Sequence, residues 1–129
     1  VGMQAMLTRS DENGGVDGLG LYPGQVKFFT DVPAIEAQRL KVPHMGWNTV
    51  SQVRGHPLWN GITDGSRFYF VHSYYCQPDD PSLSVGSCDY GLSFSCAIAQ
   101  DNVFAVQFHP EKSAQDGLRL LQNFLRWNP

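Results

Sequence analysis

The chain has 129 residues, 42% of them hydrophobic, and a formal net charge of −3, which suits one soluble domain, or part of one, closed around a single core. The acidic balance and the lack of any Lys/Arg cluster argue against nucleic acid, whose binding rests on a positive surface that neutralises phosphates, and no run of about 18 apolar residues is present to span a membrane. Cys76, Cys88 and Cys96 are odd in number and lack metal-ligand spacing, so they read as free thiols of a reducing compartment, and the opening stretch has neither the basic leader nor the apolar run of a secretory signal, which makes the cytoplasm the expected location.

In "VGMQAMLTR" the spacing of Met3, Met6 and Leu7 predicts a short helix that Ser10 to Gly15 closes. Nothing caps its start, so the chain reads as beginning inside an element. "GLGLYPGQVKFF" reads as extended chain interrupted by a Pro-Gly turn, and a strand is expected near Trp47 to Val53. "HPLWNGI" reads as a turn or one-turn helix. The clearest strand is "RFYFVHSYYC", in which Phe68, Phe70, His72 and Tyr74 share one face and Tyr69, Val71, Ser73 and Tyr75 the other. Both faces are mostly apolar, which predicts a central strand covered on two sides. "LSFSCAIAQ" and "NVFAVQF", joined by Asp101-Asn102, read as an antiparallel hairpin. Ser113 with Asp116 resembles a capping box, and Leu118, Leu121, Phe124 and Leu125 form the apolar stripe of a closing helix.

Chemistry concentrates in "FAVQFHPEKS". A histidine works as a general base near neutral pH, and a carboxylate on its second nitrogen sets the tautomer and stabilises the imidazolium. His109 and Glu111, two apart at a strand end with Pro110 between them, fit that pair. A strand-end histidine in an ordinary surface turn accounts for the same residues equally simply. The matching nucleophile belongs on a sharp strand-to-helix turn, and none of the three cysteines has that context; each reads as packing. His44, His56 and His72 read as structural, and Trp47, Trp59 and Trp127 as core or edge residues.

Taken together and in this order, "VGMQ", "PHMGWN" (43–48), "FYFVHSYY" (68–75) and "VQFHPEKS" (106–113) resemble the triad-type, class I glutamine amidotransferases. Within them the combination is most similar to the glutaminase subunit of imidazole glycerol phosphate synthase, over essentially the whole chain. The resemblance implies an α/β fold, a mixed sheet flanked by helices, with parallel strands near the nucleophile elbow and an antiparallel extension from the later hairpins. Residues 1–129 would form the C-terminal portion of a single domain. The family elbow reads Gly-x-Cys-x-Gly-Met-Gln, so the nucleophile would directly precede Val1. The same resemblance makes His109 the general base and Glu111 its orienter. It assigns substrate binding to Val1, Gly2, Gln4, Ser73 and Tyr74, with the Val1 N–H in the oxyanion hole, and a partner surface to Trp47, Tyr69 and Lys112. It implies glutamine as substrate, no cofactor and no metal. It also implies a heterodimer with a cyclase subunit of β/α-barrel fold that receives the ammonia and activates the glutaminase. Two alternatives stand beside it: a class I glutaminase of another pathway, such as anthranilate or aminodeoxychorismate synthesis, or an inactive binding module, because the chain carries no elbow cysteine.

Overall fold

The computed structural model describes residues 2–10 and 15–129. The chain enters through helix α1 (Gly2–Ala5) and turns into strand β1 (Leu7–Ser10). The helical spacing of Met3, Met6 and Leu7 therefore holds for a single turn only. Met3 and Leu7 are both buried, but Leu7 is buried from a strand, because β1 gains ladder partners on both sides, β2 (Val16–Asp17) antiparallel and β3 (Tyr22–Phe28) parallel. One isolated turn of helix has no comparable source of stability. The expected closing segment from Ser10 to Gly15 lies mostly outside the described residues.

Pro23-Gly24 does not turn the chain; both residues lie within β3. Gly24 pairs with Pro78 on β7 (Tyr74–Pro78), and a Cβ at Gly24 would come within 2.8 Å of the Gln77 carbonyl oxygen and the Pro78 Cα. The glycine thus serves a close approach of two backbones. Helix α2 (Pro33–Ala37) follows, then β4 (His44–Thr49) and the short β5 (Ser51–Gln52) in place of one strand from Trp47 to Val53. The expected one-turn element is a 3-10 turn at Pro57–Trp59, in which the His56 ring accepts from the Leu58 N–H at 3.1 Å.

The expected single strand over "RFYFVHSYYC" is two strands in two sheets. Among the described residues β6 (Arg67–His72) pairs antiparallel with β4 alone, whereas β7 lies between β3 and β9 (Ser93–Gln100). The break falls at Ser73, whose carbonyl accepts from the Phe29 N–H at 3.1 Å, one rung beyond the Phe28–Tyr74 pair of β3 and β7, so that the chain changes partner there from β4 to β3. The larger sheet has eight strands among the described residues, ordered β2-β1-β3-β7-β9-β8-β5, with β8 at Ser84–Asp89 and with β10 (Val103–Val106) also on β9. The hairpin of β9 and β10 is antiparallel as expected, with Asp101 at φ 53° in its turn.

Packing explains the two layers. One core lies between the β4-β6 pair and the large sheet and contains Phe29, Trp59, Phe68, Phe70, Tyr75, Phe94, Phe108 and Leu120. A second core on the opposite face of the large sheet holds Met3, Leu7, Val26, Cys76 and Ile98. Tyr75 and Cys76, neighbours on β7, enter different cores because successive strand side chains alternate. Helix α3 (Ala114–Arg126) corrects two expectations. Ser113 makes no side-chain cap bond, and the stripe of Leu118, Leu121, Phe124 and Leu125 is exposed. The inward face is Gly117, Leu120 and Asn123. Asn123 decides it by donating to the carbonyls of Leu58 (2.8 Å) and Asn60 (2.7 Å), while Gly117 permits a backbone approach in which a Cβ would overlap the Pro110 carbonyl oxygen. No helix among the described residues is long and apolar enough to cross a membrane.

Candidate active site

The segment from Gln107 to Ser113 straps the large sheet to the small one. Its first anchor is the Gln107 N–H, which donates to the Cys96 carbonyl of β9 at 2.8 Å. Phe108 then packs against Phe68 and Phe70 at ring distances of 4.3 and 5.7 Å. The second anchor is the His109 N–H, which donates to the Tyr69 carbonyl of β6 at 2.9 Å. Pro110–Lys112 forms one 3-10 turn, and the His109 carbonyl accepts both the Lys112 N–H (3.0 Å) and the Ser113 hydroxyl (2.6 Å). The same Ser113 oxygen accepts the Tyr69 N–H at 3.0 Å. Ser113 is 1% exposed, so this hydroxyl is a buried clasp that holds the backbone of His109 against β6.

With its backbone held, the His109 ring meets Glu111: Nδ1 lies 2.9 Å from Oε1. A carboxylate only accepts, so Nδ1 carries the hydrogen and Nε2 keeps a lone pair available to take a proton. The Glu111 carboxyl is held below its usual range, first by its own backbone N–H and also by the His109 ring, with partial burial opposing. The histidine is 39% exposed and the glutamate 58%. This open pair can take a proton from a group that reaches Nε2 and return it.

Gln4, on α1, reaches the same strap. Its Nε2 donates to Gln107 Oε1 at 3.1 Å and to the Tyr74 carbonyl at 3.4 Å. Gln107 is buried and lies two residues before His109. Gln4, the Ser73-Tyr74 break and the His109 strap are thereby tied together, although they are far apart in sequence. Val1 lies outside the described residues, and Gly2 opens α1.

Trp47 and Tyr69 are cross-strand partners on β4 and β6, their rings 5.9 Å apart and edge-on. Trp47 and Met45, two apart on β4, are 48% and 62% exposed, and Lys112 is exposed on the strap that carries His109. Tyr69 therefore joins the apolar outer patch to the backbone that holds His109. The three cysteines are buried and free. Burial pushes the Cys76 and Cys88 thiols up to about 12, and Cys96 well above the ordinary range. None is an activated nucleophile. No cluster of three or more His, Cys, Asp or Glu side chains suited to a metal is found among the described residues.

Sequence reasoning misses Ser113 and Gln107. Gln107 has a readable signal, a lone polar residue inside the apolar run "FAVQF"; Ser113 does not, because its position equally suits a helix cap.

Residues 1–127 match the family described as glutamine amidotransferase class-I. The chain is 57% identical, over 100% of its length and 60% of the relative's, to "Imidazole glycerol phosphate synthase subunit HisH" of Dechloromonas aromatica. The same description belongs to proteins of Nitrosococcus oceani, 59% identical over 99% of this chain and 59% of the relative, and Acinetobacter baylyi, 57% identical over 99% and 60%. The chain spans about 60% of the length of the curated relatives it matches.

Proposed function

The chain belongs to the class-I glutamine amidotransferase family, and on that premise we propose that it supplies the general base and part of the glutamine site of the glutaminase subunit of imidazole glycerol phosphate synthase. The whole-chain similarity to subunits of that description supports the choice within the family. The observation that carries the chemistry is the His109 Nδ1 to Glu111 Oε1 bond of 2.9 Å, which puts the hydrogen on Nδ1 and the lone pair on Nε2.

In this reading His109 Nε2 takes the proton of a cysteine thiol, at the family position directly before the Val1-Gly2-Met3-Gln4 segment, and the resulting thiolate attacks the side-chain amide carbon of glutamine. The C–N bond of the tetrahedral adduct breaks as His109 delivers a proton to the departing nitrogen, giving ammonia and a glutamyl thioester. His109 then takes a proton from water, the hydroxide attacks the thioester, and the C–S bond breaks to give glutamate and the restored thiol. Glu111 holds the ring and balances the imidazolium in both halves. Gln4 and the Ser73-Tyr74 segment hold the amino-acid part of the substrate, and the Val1 N–H contributes to the oxyanion hole.

Residues 1–129 would be the C-terminal portion of one amidotransferase domain working in the cytoplasm. The exposed Met45 and Trp47 with Tyr69 and Lys112 would face a cyclase subunit that receives the ammonia. The test is glutamine hydrolysis by the whole protein with its synthase partner. His109→Ala should lower turnover by about 10²–10⁴-fold while the unfolding transition stays in place. Unchanged turnover would remove the assigned role, and activation by a chorismate-using partner in place of a barrel cyclase would move the protein to another pathway.

A further inference from the structure

His44 and His72 are cross-strand partners on β4 and β6, both buried, and neither takes part in the chemistry above. Their rings are joined through His44 Nδ1 and His72 Nε2 at 2.9 Å. Beyond His72, its Nδ1 lies 2.7 Å from the Tyr74 carbonyl; beyond His44, its Nε2 lies 3.2 Å from Asn48 Nδ2.

The direction of every bond in this chain follows from its ends. The Tyr74 carbonyl can only accept, so His72 carries its hydrogen on Nδ1 and its Nε2 must accept. His44 then donates from Nδ1, and its Nε2 accepts from Asn48. The other end gives the same answer independently. Asn48 Oδ1 accepts the Thr49 N–H at 2.7 Å and Nδ2 donates to the Asp89 carbonyl at 2.9 Å, so the amide presents N–H to His44. The rings are also held in place: His44 is stacked between Phe70 and Tyr90 at 4.9 and 4.0 Å, and His72 is tilted against Phe29 and Phe94 at 5.1 and 5.3 Å. Two apolar rings would fill this cross-strand position at a smaller desolvation cost. What imidazoles add is the connection from Asn48 to Tyr74.

We propose that His44 and His72 are positioning residues for the glutamine site: their one-way hydrogen-bonded chain fixes the Tyr74 carbonyl, the group that also receives Gln4, and ties it to strand β4. The inference rests on the glutaminase reading and deepens it. Strand β4 alternates, His44 and Asn48 turned inward and Met45 and Trp47 outward. A partner seated on the outer residues would therefore act on the strand whose inner residues hold the substrate segment. The chain gives that contact a path of named hydrogen bonds.

The test compares two amide replacements in the whole protein with its partner. In His72→Asn the side-chain amide takes the place of Nδ1 and can still donate to Tyr74; in His72→Gln it takes the place of Nε2 and cannot. The expected result is that H72Q raises KM for glutamine by about tenfold, equivalent to ~1.4 kcal/mol, with a smaller change in kcat, and that H72N recovers most of the loss. Equal KM values for both variants, whether unchanged or equally raised with equally lowered unfolding midpoints, would overturn the proposal and leave a packing role. The second readout is independent of turnover: long-range ¹H–¹⁵N spectra of the histidine-labelled wild-type protein should show both rings as Nδ1–H tautomers. An Nε2–H tautomer at either ring would overturn the chain. A wild-type protein that turns over no glutamine would sink the glutaminase reading while the spectra still decide the chain.

Discussion

Acidification should unfold this protein through its buried histidines before its carboxylates titrate. Burial pushes His44 and His72 down to about 4 from the ordinary 6.5, and at His72 the Tyr74 carbonyl opposes the shift while His44 and His109 add to it. Between those values the unfolded chain binds more protons than the folded one, so stability is full above pH 6.5 and falls as pH drops towards 4. At pH 5 the linkage relation gives about 2 kcal/mol lost for one such histidine and about 4 for two independent ones. The shared bond couples the two in the folded state, because a protonated His72 would turn a second N–H against the His44 donor, and this further disfavours proton uptake by the folded chain, so the expected loss stays near the two-site figure. That is a large part of a typical domain's stability. The groups around the pair are Asn48, Tyr90, the Tyr74 carbonyl and phenylalanine rings, with His109 nearby, and no carboxylate pairs with either ring among the described residues. His56, lowered by burial and by Arg54, acts in the same direction. The assay is the urea midpoint of the whole protein from pH 7.5 to 5, repeated with His56→Ala. A midpoint that stays flat over that range, or a slope that vanishes with His56→Ala, would refute the assignment of the acid sensitivity to the buried pair.

Ser113→Ala should cost about 1–3 kcal/mol, the penalty for leaving the buried Tyr69 N–H without its acceptor, and should lower glutamine turnover because the His109 carbonyl loses the 2.6 Å hydroxyl bond; thermal unfolding and steady-state kinetics measure the two effects, and unchanged values for both would show that the clasp does nothing. Iodoacetamide at pH 7.5 should leave Cys76, Cys88 and Cys96 unmodified in the folded protein and label all three in urea, since burial disfavours their thiolates; peptide mass spectrometry reads the sites, and rapid labelling of any of them in the folded state would contradict the buried placement.

Local chemistry and short-range pattern are readable in the sequence; the choice of which face packs inward is not. His109 and Glu111 declare themselves as a pair two residues apart, although the structure joins them across the 3-10 turn at Pro110–Lys112 and not along extended chain as expected, and the hairpin of β9 and β10 follows from two apolar runs around Asp101-Asn102. The break at Ser73 is invisible in a run that is apolar on both faces, since it depends on Phe29 reaching the Ser73 carbonyl from a distant segment. Helix α3 shows the limit most plainly. Its hydrophobic periodicity points to Leu118, Leu121 and Phe124, yet Asn123 and Gly117 set its orientation through bonds to Leu58 and Asn60 and a close approach to Pro110. Such a contact has no periodicity to detect. Ser113 passes for a helix cap for the same reason, because its partners include Tyr69 on another strand.

The strap from Gln107 to Ser113 gives His109, the proposed general base, an unusual allegiance. Its backbone is moored at one end to Cys96 of the large sheet and at the other to Tyr69 of the small one, so His109 belongs to the seam between the layers and to neither layer alone. The position of its imidazole is in effect a gauge of how the two sheets sit against each other. A substitution deep in the aromatic core that thickens or shears that seam would register at His109 Nε2, far from the altered residue.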